Sequence, residues 1–147
     1  MRRYKKILDQ SFRSDTLEIA YRTRFYEYID QGIQSKMLDT RLKSFDLEKL
    51  SNAIQPYRDK KFHYLGMQIL TDRYFLRDRS ESRDIYELPQ WFWMRVAMGL
   101  ALQEADKETA AISFYNVLSE MDLVSSTPTL FNSGTTHSQM SSCYINI

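Results

Sequence analysis

Residues 88–103 run Leu-Pro-Gln-Trp-Phe-Trp-Met-Arg-Val-Ala-Met-Gly-Leu-Ala-Leu-Gln. Wound into a helix, they present apolar side chains round most of the circumference. Such a helix is stable in water only when other elements surround it. Pro89 falls in the first turn, where a missing N–H costs nothing. Gln90 and Arg95 interrupt the run, and it falls short of the roughly 20 apolar residues that a membrane span needs. The stretch is therefore predicted to be the central helix of a globular domain, with Trp91, Phe92, Val96 and Leu100 mostly buried. Trp91 and Trp93 are read as core. Arg95 in that setting needs a partner or an exit to solvent, and its role is read as structural.

The chain around this helix is long enough to cover it. At 147 residues it is one modest domain. A hydrophobic fraction of 43% and an aromatic fraction of 14% argue for a packed interior rather than disorder. Twenty basic and nineteen acidic residues nearly cancel, so charge gives no reason to expect nucleic-acid binding. The basic cluster of Arg2, Arg3, Lys5 and Lys6 is short and is read as a solvated terminus. The N-terminus lacks the apolar core of a signal peptide, and no long apolar run suggests a membrane span. One cysteine cannot form an internal disulfide. A cytoplasmic location is expected.

The first 15 residues read as a polar segment, and 16–122 as a helical domain. Ser14 or Asp15 could cap a helix over 16–31, whose apolar residues Leu17, Ala20, Tyr21, Phe25, Tyr28 and Ile29 recur at helical spacing. Gly32 is a plausible stop, and a second short helix is expected from about Ser35 through Met37 and Leu38. Asp46 should cap a helix over 47–53, with Leu47, Leu50 and Ile54 on one face and Pro56 ending it. Residues 62–74 read as helix through Phe62, Leu65, Ile69 and Leu70. The charged stretch 75–86 reads as a turn or short hairpin. Asp106 should cap a helix over 107–122 with Ala110, Phe114, Val117, Leu118 and Met121 as its inner stripe.

From 123 onward the pattern changes to a hydroxyl-rich loop, Ser125-Ser126-Thr127-Pro128-Thr129, followed by Leu130-Phe131-Asn132-Ser133-Gly134-Thr135. Proline, glycine and hydroxyl residues of this kind can present side-chain and backbone donors to an anion. Residues 140–147 then turn β-rich, with Cys143 on the expected strand. On spacing alone Cys143 fits either a small buried hydrophobe or a reactive thiol. Thr127 fits either a Thr-Pro turn or a hydroxyl that binds phosphate oxygen. His63 and His137 are too far apart, and lack companions, to suggest a metal site.

Several linked segments carry a resemblance. They are Tyr64-Leu65-Gly66-Met67-Gln68-Ile69-Leu70-Thr71-Asp72-Arg73-Tyr74, then Glu87-Leu88-Pro89-Gln90-Trp91-Phe92-Trp93-Met94-Arg95, then Ala111-Ile112-Ser113-Phe114-Tyr115, and finally the stretch from Ser125 to Cys143. In this order they resemble the large, catalytic subunit of class I ribonucleoside-diphosphate reductase, from about residue 25 to the end.

The resemblance implies a mainly α fold: the all-helical N-terminal domain of that subunit, followed over 123–147 by the first loop and strand of its ten-stranded α/β barrel. It implies that Cys143 is one thiol of a redox pair whose partner is absent from this chain. It implies that Thr127 contacts the diphosphate of a ribonucleoside diphosphate and that Ser142 lines the substrate pocket. It further implies a separate radical-generating small subunit with a dimetal centre, and a remaining C-terminal part of the large subunit, as partners. No metal or cofactor is expected in this chain. The family's other catalytic residues would lie beyond it, so the chain is expected to be an N-terminal piece, inactive alone. The competing expectation is a non-catalytic helical interaction module or a gene relic.

Overall fold

The computed structural model describes residues 14–78 and 83–143. The basic cluster from Arg2 to Lys6 and the last four residues of the expected strand, 144–147, lie outside them. The described chain is helical. Its elements are α1 (Ser14–Gln34), α2 (Leu47–Ala53), α3 (Tyr64–Ile69), α4 (Pro89–Ala101), α5 (Lys107–Ser119) and α6 (Thr127–Asn132). Short 3-10 segments, Thr40–Ser44 and Pro56–Lys61, flank α2, and a π-helical turn, Leu70–Tyr74, extends α3. Among the described residues extended pairing is confined to two isolated antiparallel bridges, Leu38 with Thr135 and Arg77 with Ile85.

α4 is the axis of the domain, as its composition requires. All of its residues from Pro89 to Gly99 are buried, with Phe92, Met94, Arg95, Val96, Ala97 and Met98 fully so. α5 packs against it after the short connection 102–106, and α1 lays Tyr21, Phe25, Tyr28 and Ile29 on the same core. Trp91 stacks on Tyr28 at 5.1 Å and meets Tyr21 edge-on at 5.8 Å. Leu100, at the far end of α4, is only partly buried.

The caps follow sequence closely. The Asp46 carboxylate accepts from the Lys49 N–H at 2.9 Å to start α2, and the Asp106 carboxylate accepts from the Thr109 N–H at 3.1 Å to start α5. The flanks of the 75–86 stretch pair as a hairpin would, with the Tyr86 N–H donating to the Leu76 carbonyl.

Other expectations are corrected. α1 runs through Gly32 to Gln34. Gly32 serves close packing instead of ending the helix: a Cβ there would lie 2.4 Å from Leu38 Cδ1. Lys36, at φ 55°, reverses the chain, so no helix forms through Met37 and Leu38; Leu38 bridges Thr135 instead. The 62–74 helix is split into α3 and the π turn, and it leaves Leu65 and Ile69 exposed while Leu70 is buried.

The inner stripe of α5 is Ala111, Tyr115, Leu118 and Ser119: Leu118 is buried as expected, while Ala111 and Tyr115 take the places expected of Ala110 and Phe114. Val117 and Met121 are exposed, and the helix ends at Ser119. The reason is the Tyr115 hydroxyl, which finds polar partners inside the core and lets that residue take the central position. The loop expected over 125–135 contains the short helix α6, with Pro128 in its first turn and Leu130 buried. The strand expected over 140–147 is not shown: 140–143 make no strand pairing, and 144–147 lie outside the described residues.

Candidate functional site

The buried charge on α4 organises the end of the described chain. Arg95 is fully buried, and its Nε donates to Glu87 Oε1 at 2.6 Å while Nη2 donates to Glu87 Oε2 at 3.2 Å. Glu87, 2% exposed, also accepts from the Tyr28 hydroxyl at 2.5 Å and from the Leu76 N–H at 2.9 Å. Burial works against the guanidinium charge, but Glu87 and Tyr28 together outweigh it and hold the Arg95 pKa above its ordinary value. Burial, then the Glu87 carboxylate, push the Tyr28 hydroxyl well above its usual pKa, so it stays a donor.

Arg95 also reaches α6. Nη1 donates to the Ser133 carbonyl at 2.6 Å, and Nη2 to the Leu130 carbonyl at 3.3 Å. Ser133 Oγ donates to the Val96 carbonyl at 2.7 Å. Here the backbones meet closely: a Cβ on Gly99 would lie 2.1 Å from Gly134 N, and Gly134 itself has φ +72°.

The three residues singled out from sequence all lie on the exposed side of this terminal segment. Thr127 opens α6 with its hydroxyl 3.3 Å from that of Tyr74. The chain after α6 folds back on it: Thr129 Oγ1 donates to the Met140 carbonyl at 3.3 Å, and Asn132 Nδ2 donates to the Gln139 carbonyl at 2.5 Å. These two bonds bring the stretch leading to Ser142 and Cys143 alongside the helix that Thr127 begins. Cys143 is an exposed free thiol with the Ser142 hydroxyl 4.0 Å away. Of the two readings open on spacing, the exposure disagrees with the small buried hydrophobe. An open hollow of about 230 Å³ is lined by Asp39, Arg41, Gly99, Gly134, Ser138 and Met140, and Thr127, Ser142 and Cys143 do not line it.

Residues 60–138, just over half of the chain, match the family model described as ribonucleotide reductase, all-alpha domain. The chain belongs to this family. It is 52% identical to the ribonucleoside-diphosphate reductase subunit alpha of Chlamydia muridarum over 97% of its own length, and 47% identical to the subunit of that name from Helicobacter pylori over 70%. It is 42% identical to the ribonucleoside-diphosphate reductase large subunit of Caenorhabditis elegans over 67%. The chain spans only about an eighth of these relatives, 13%, 13% and 12% of their lengths respectively.

Within this reductase domain two groups of functional interest escaped the sequence reading. Tyr74, inside the helix-and-turn segment, touches Thr127 with its hydroxyl and stacks on Phe131 at 4.9 Å. Nothing in a local pattern announces a contact across 53 residues. The second group lies at the other end of the α4 first turn. Half-buried Asp59 accepts from the Tyr21 hydroxyl at 2.6 Å and from Gln90 Nε2 at 2.8 Å. Gln90 Oε1 accepts from the Tyr115 hydroxyl at 2.7 Å, and that hydroxyl accepts from the Gln55 N–H at 2.9 Å. Burial pushes the Asp59 carboxyl up to about 6, against the opposing effect of its two hydrogen bonds. Gln90 as an interruption in an apolar helix was the available signal. No helix of the described residues is long and apolar enough to cross a membrane.

Proposed function

We propose that this chain is the N-terminal helical portion of a ribonucleoside-diphosphate reductase large subunit and contributes to the reduction of ribonucleotides to deoxyribonucleotides. The observation that carries the reading is the 52% identity to a reductase alpha subunit over nearly the whole chain. Thr127 donates its hydroxyl to a diphosphate oxygen of the substrate, a neutral contact to a strong acceptor. Its exposure and its position at the start of α6 support that role. Ser142 lines the same pocket. Residues 140–147 enter the ten-stranded barrel as its first strand, with the neighbouring strands supplied by the rest of the large subunit.

Cys143 is the reductant. Together with a second thiol from outside this chain it gives up two electrons and two protons. The ribose C–O bond breaks, a C–H bond forms, water leaves, and the two sulfurs join as a disulfide. The geometry of that bond requires the partner thiol within bonding reach of Cys143, and an exposed Sγ allows its approach. A separate small subunit with a dimetal centre would supply the radical that starts the chemistry, and none of this chain's residues is assigned to that centre. Exposed large apolar residues such as Leu65 at 67% and Val124 at 83% support a domain that packs against further protein.

The test is reconstitution. The chain alone, with reductant and small subunit, should form no deoxynucleotide, because one cysteine cannot supply both a disulfide pair and a radical-carrying thiol. Joined to the remaining large subunit it should turn over. There Cys143→Ser should abolish multiple turnover and leave assembly intact. Thr127→Ala should weaken substrate binding by about 1.5–3 kcal/mol, the value of a hydrogen bond to a charged group. Deoxynucleotide formation by the isolated chain, or normal turnover by the Cys143→Ser assembly, would sink the reading.

A further inference from the structure

We infer that Arg95, oriented by Glu87, is a positioning residue: it fixes α6 and thereby sets where Thr127 presents its hydroxyl. The inference rests on the reading of Thr127 as the diphosphate contact.

α6 has six residues, too few to hold a helix by its own hydrogen bonds. Its place is imposed from outside, and one guanidinium reaches two carbonyls at its end. Arg95 spends Nη1 and Nη2 on the Ser133 and Leu130 carbonyls, at the C-terminal end of α6, where a helix leaves acceptors unsatisfied. A cation there also complements the helix dipole. Its remaining donors fork onto both oxygens of Glu87. Glu87 is in turn held by Tyr28 on α1 and by the backbone of Leu76 beside the hairpin. One side chain therefore ties α6 to three other elements.

Only a planar fork makes these contacts together. A lysine would keep the charge opposite Glu87 and lose the simultaneous reach to two carbonyls. The remaining contacts of α6 agree with a fixed placement. Leu130 is buried, Ser133 Oγ bonds the α4 backbone, and Phe131 stacks on Tyr74, whose hydroxyl meets Thr127. α6 is about 9 Å long at 1.5 Å per residue, so a shift at its C-terminal end is carried to Thr127 at the other. For stability alone an apolar pair of similar volume would serve as well as a buried ion pair. What the apolar pair could not do is hold two carbonyls in a set direction.

The experiment compares Arg95→Lys, the uncharged double variant Glu87→Gln/Arg95→Met, and Thr127→Ala, first as the 147-residue chain and then joined to the remaining large subunit. In Arg95→Lys the amides of Leu130, Ser133 and Thr135, each hydrogen-bonded in the structure, should lose exchange protection about tenfold relative to the amides of α5. In the joined enzyme KM for the nucleoside diphosphate should rise roughly tenfold with kcat within about twofold, the split expected when ground-state positioning is lost. The double variant should move both quantities in the same direction while melting near wild type. Protection retained at those three amides overturns the inference, as does a loss spread evenly over α5. If Arg95→Lys does not fold, the double variant decides: wild-type exchange at the three amides refutes the tie. If Thr127→Ala leaves KM unchanged while Arg95→Lys still releases the three amides, the substrate reading fails and the clamp on α6 stands.

Discussion

Two carboxylates, one buried and one half-buried, meet the start of α4, and the fold treats them differently. Glu87 and Asp59 each accept from a tyrosine of α1, Tyr28 and Tyr21, which lie two turns apart on the same helix face. Each is also met by a side chain of α4. For Glu87 that side chain is Arg95, and for Asp59 it is Gln90. The cation turns the first into a fully enclosed ion pair. The neutral amide leaves the second with its charge supported by hydrogen bonds from neutral groups, and burial raises its pKa to about 6. The same scaffold therefore holds one carboxylate paired with a cation and one whose carboxyl pKa is raised by burial, and the α4 partner differs between them.

The largest expected effect tests the buried ion pair. Arg95→Met leaves Glu87 buried without its cation and should cost about 3–5 kcal/mol of unfolding free energy, read from urea denaturation. The double variant Glu87→Gln/Arg95→Met should regain most of that. A loss below about 1 kcal/mol for the single change would break the contrast between the two carboxylates. Phe92→Ala, midway between Gln90 and Arg95 and fully buried, is the apolar control. It should cost a similar 3–5 kcal/mol through the cavity it leaves, with no dependence on pH.

Asp59 should behave in the opposite way. Its pKa is raised in the folded state, from 3.8 to about 6, so the folded chain binds the proton more tightly than the unfolded chain. The resulting stabilisation is fully present below about pH 4 and is lost as pH rises through 6. At pH 7–8 the ionised group is a net cost. Asp59→Asn should therefore raise stability at pH 8 by about 1–2 kcal/mol, less than the full shift implies because Asp59 is only half-buried. The gain should shrink towards zero near pH 4. Denaturation of both proteins across pH 4–8 checks this, and a difference that is flat with pH would remove Asp59 as a titrating group.

The contrast also shows what sequence could and could not reveal. α4 was legible because its composition admits only one environment, and the Asp46 and Asp106 caps because capping is local. The need of Arg95 for a partner was legible too, whereas the identity of the partner required the geometry of Pro89 and the turn before it. The stripe of α5 was misplaced because Tyr115 counts as half-polar in a pattern, yet its hydroxyl is satisfied inside the core by Gln90 and Gln55. The helical spacing over 62–74 matches α3 and its π turn, yet Tyr64 and Leu65 are 78% and 67% exposed. Periodicity reports a face without saying what covers it. At the site, Thr127, Ser142 and Cys143 came from resemblance. Tyr74 and the Arg95 tie to α6 are long-range contacts that leave no trace in spacing.

The smallest expected effect concerns Thr127 itself. Both carboxylate networks hold the interior, while the Thr127 hydroxyl sits at the surface with one neighbour, Tyr74, at 3.3 Å. An exposed hydroxyl exchanges its partner for water at little cost, so Thr127→Ala should change stability by less than about 0.5 kcal/mol. Tyr74→Phe, which keeps the stack on Phe131 and removes the hydroxyl, should do the same. Near-wild-type melting of both variants would mean that the fold does not need this hydroxyl for itself and leaves it free to donate outward. A loss above about 1 kcal/mol in Thr127→Ala would place the hydroxyl among the structural groups that hold α6. The distinction between a buried frame at α4 and an available donor at the start of α6 would then collapse, and with it the reason to look for a phosphate at Thr127.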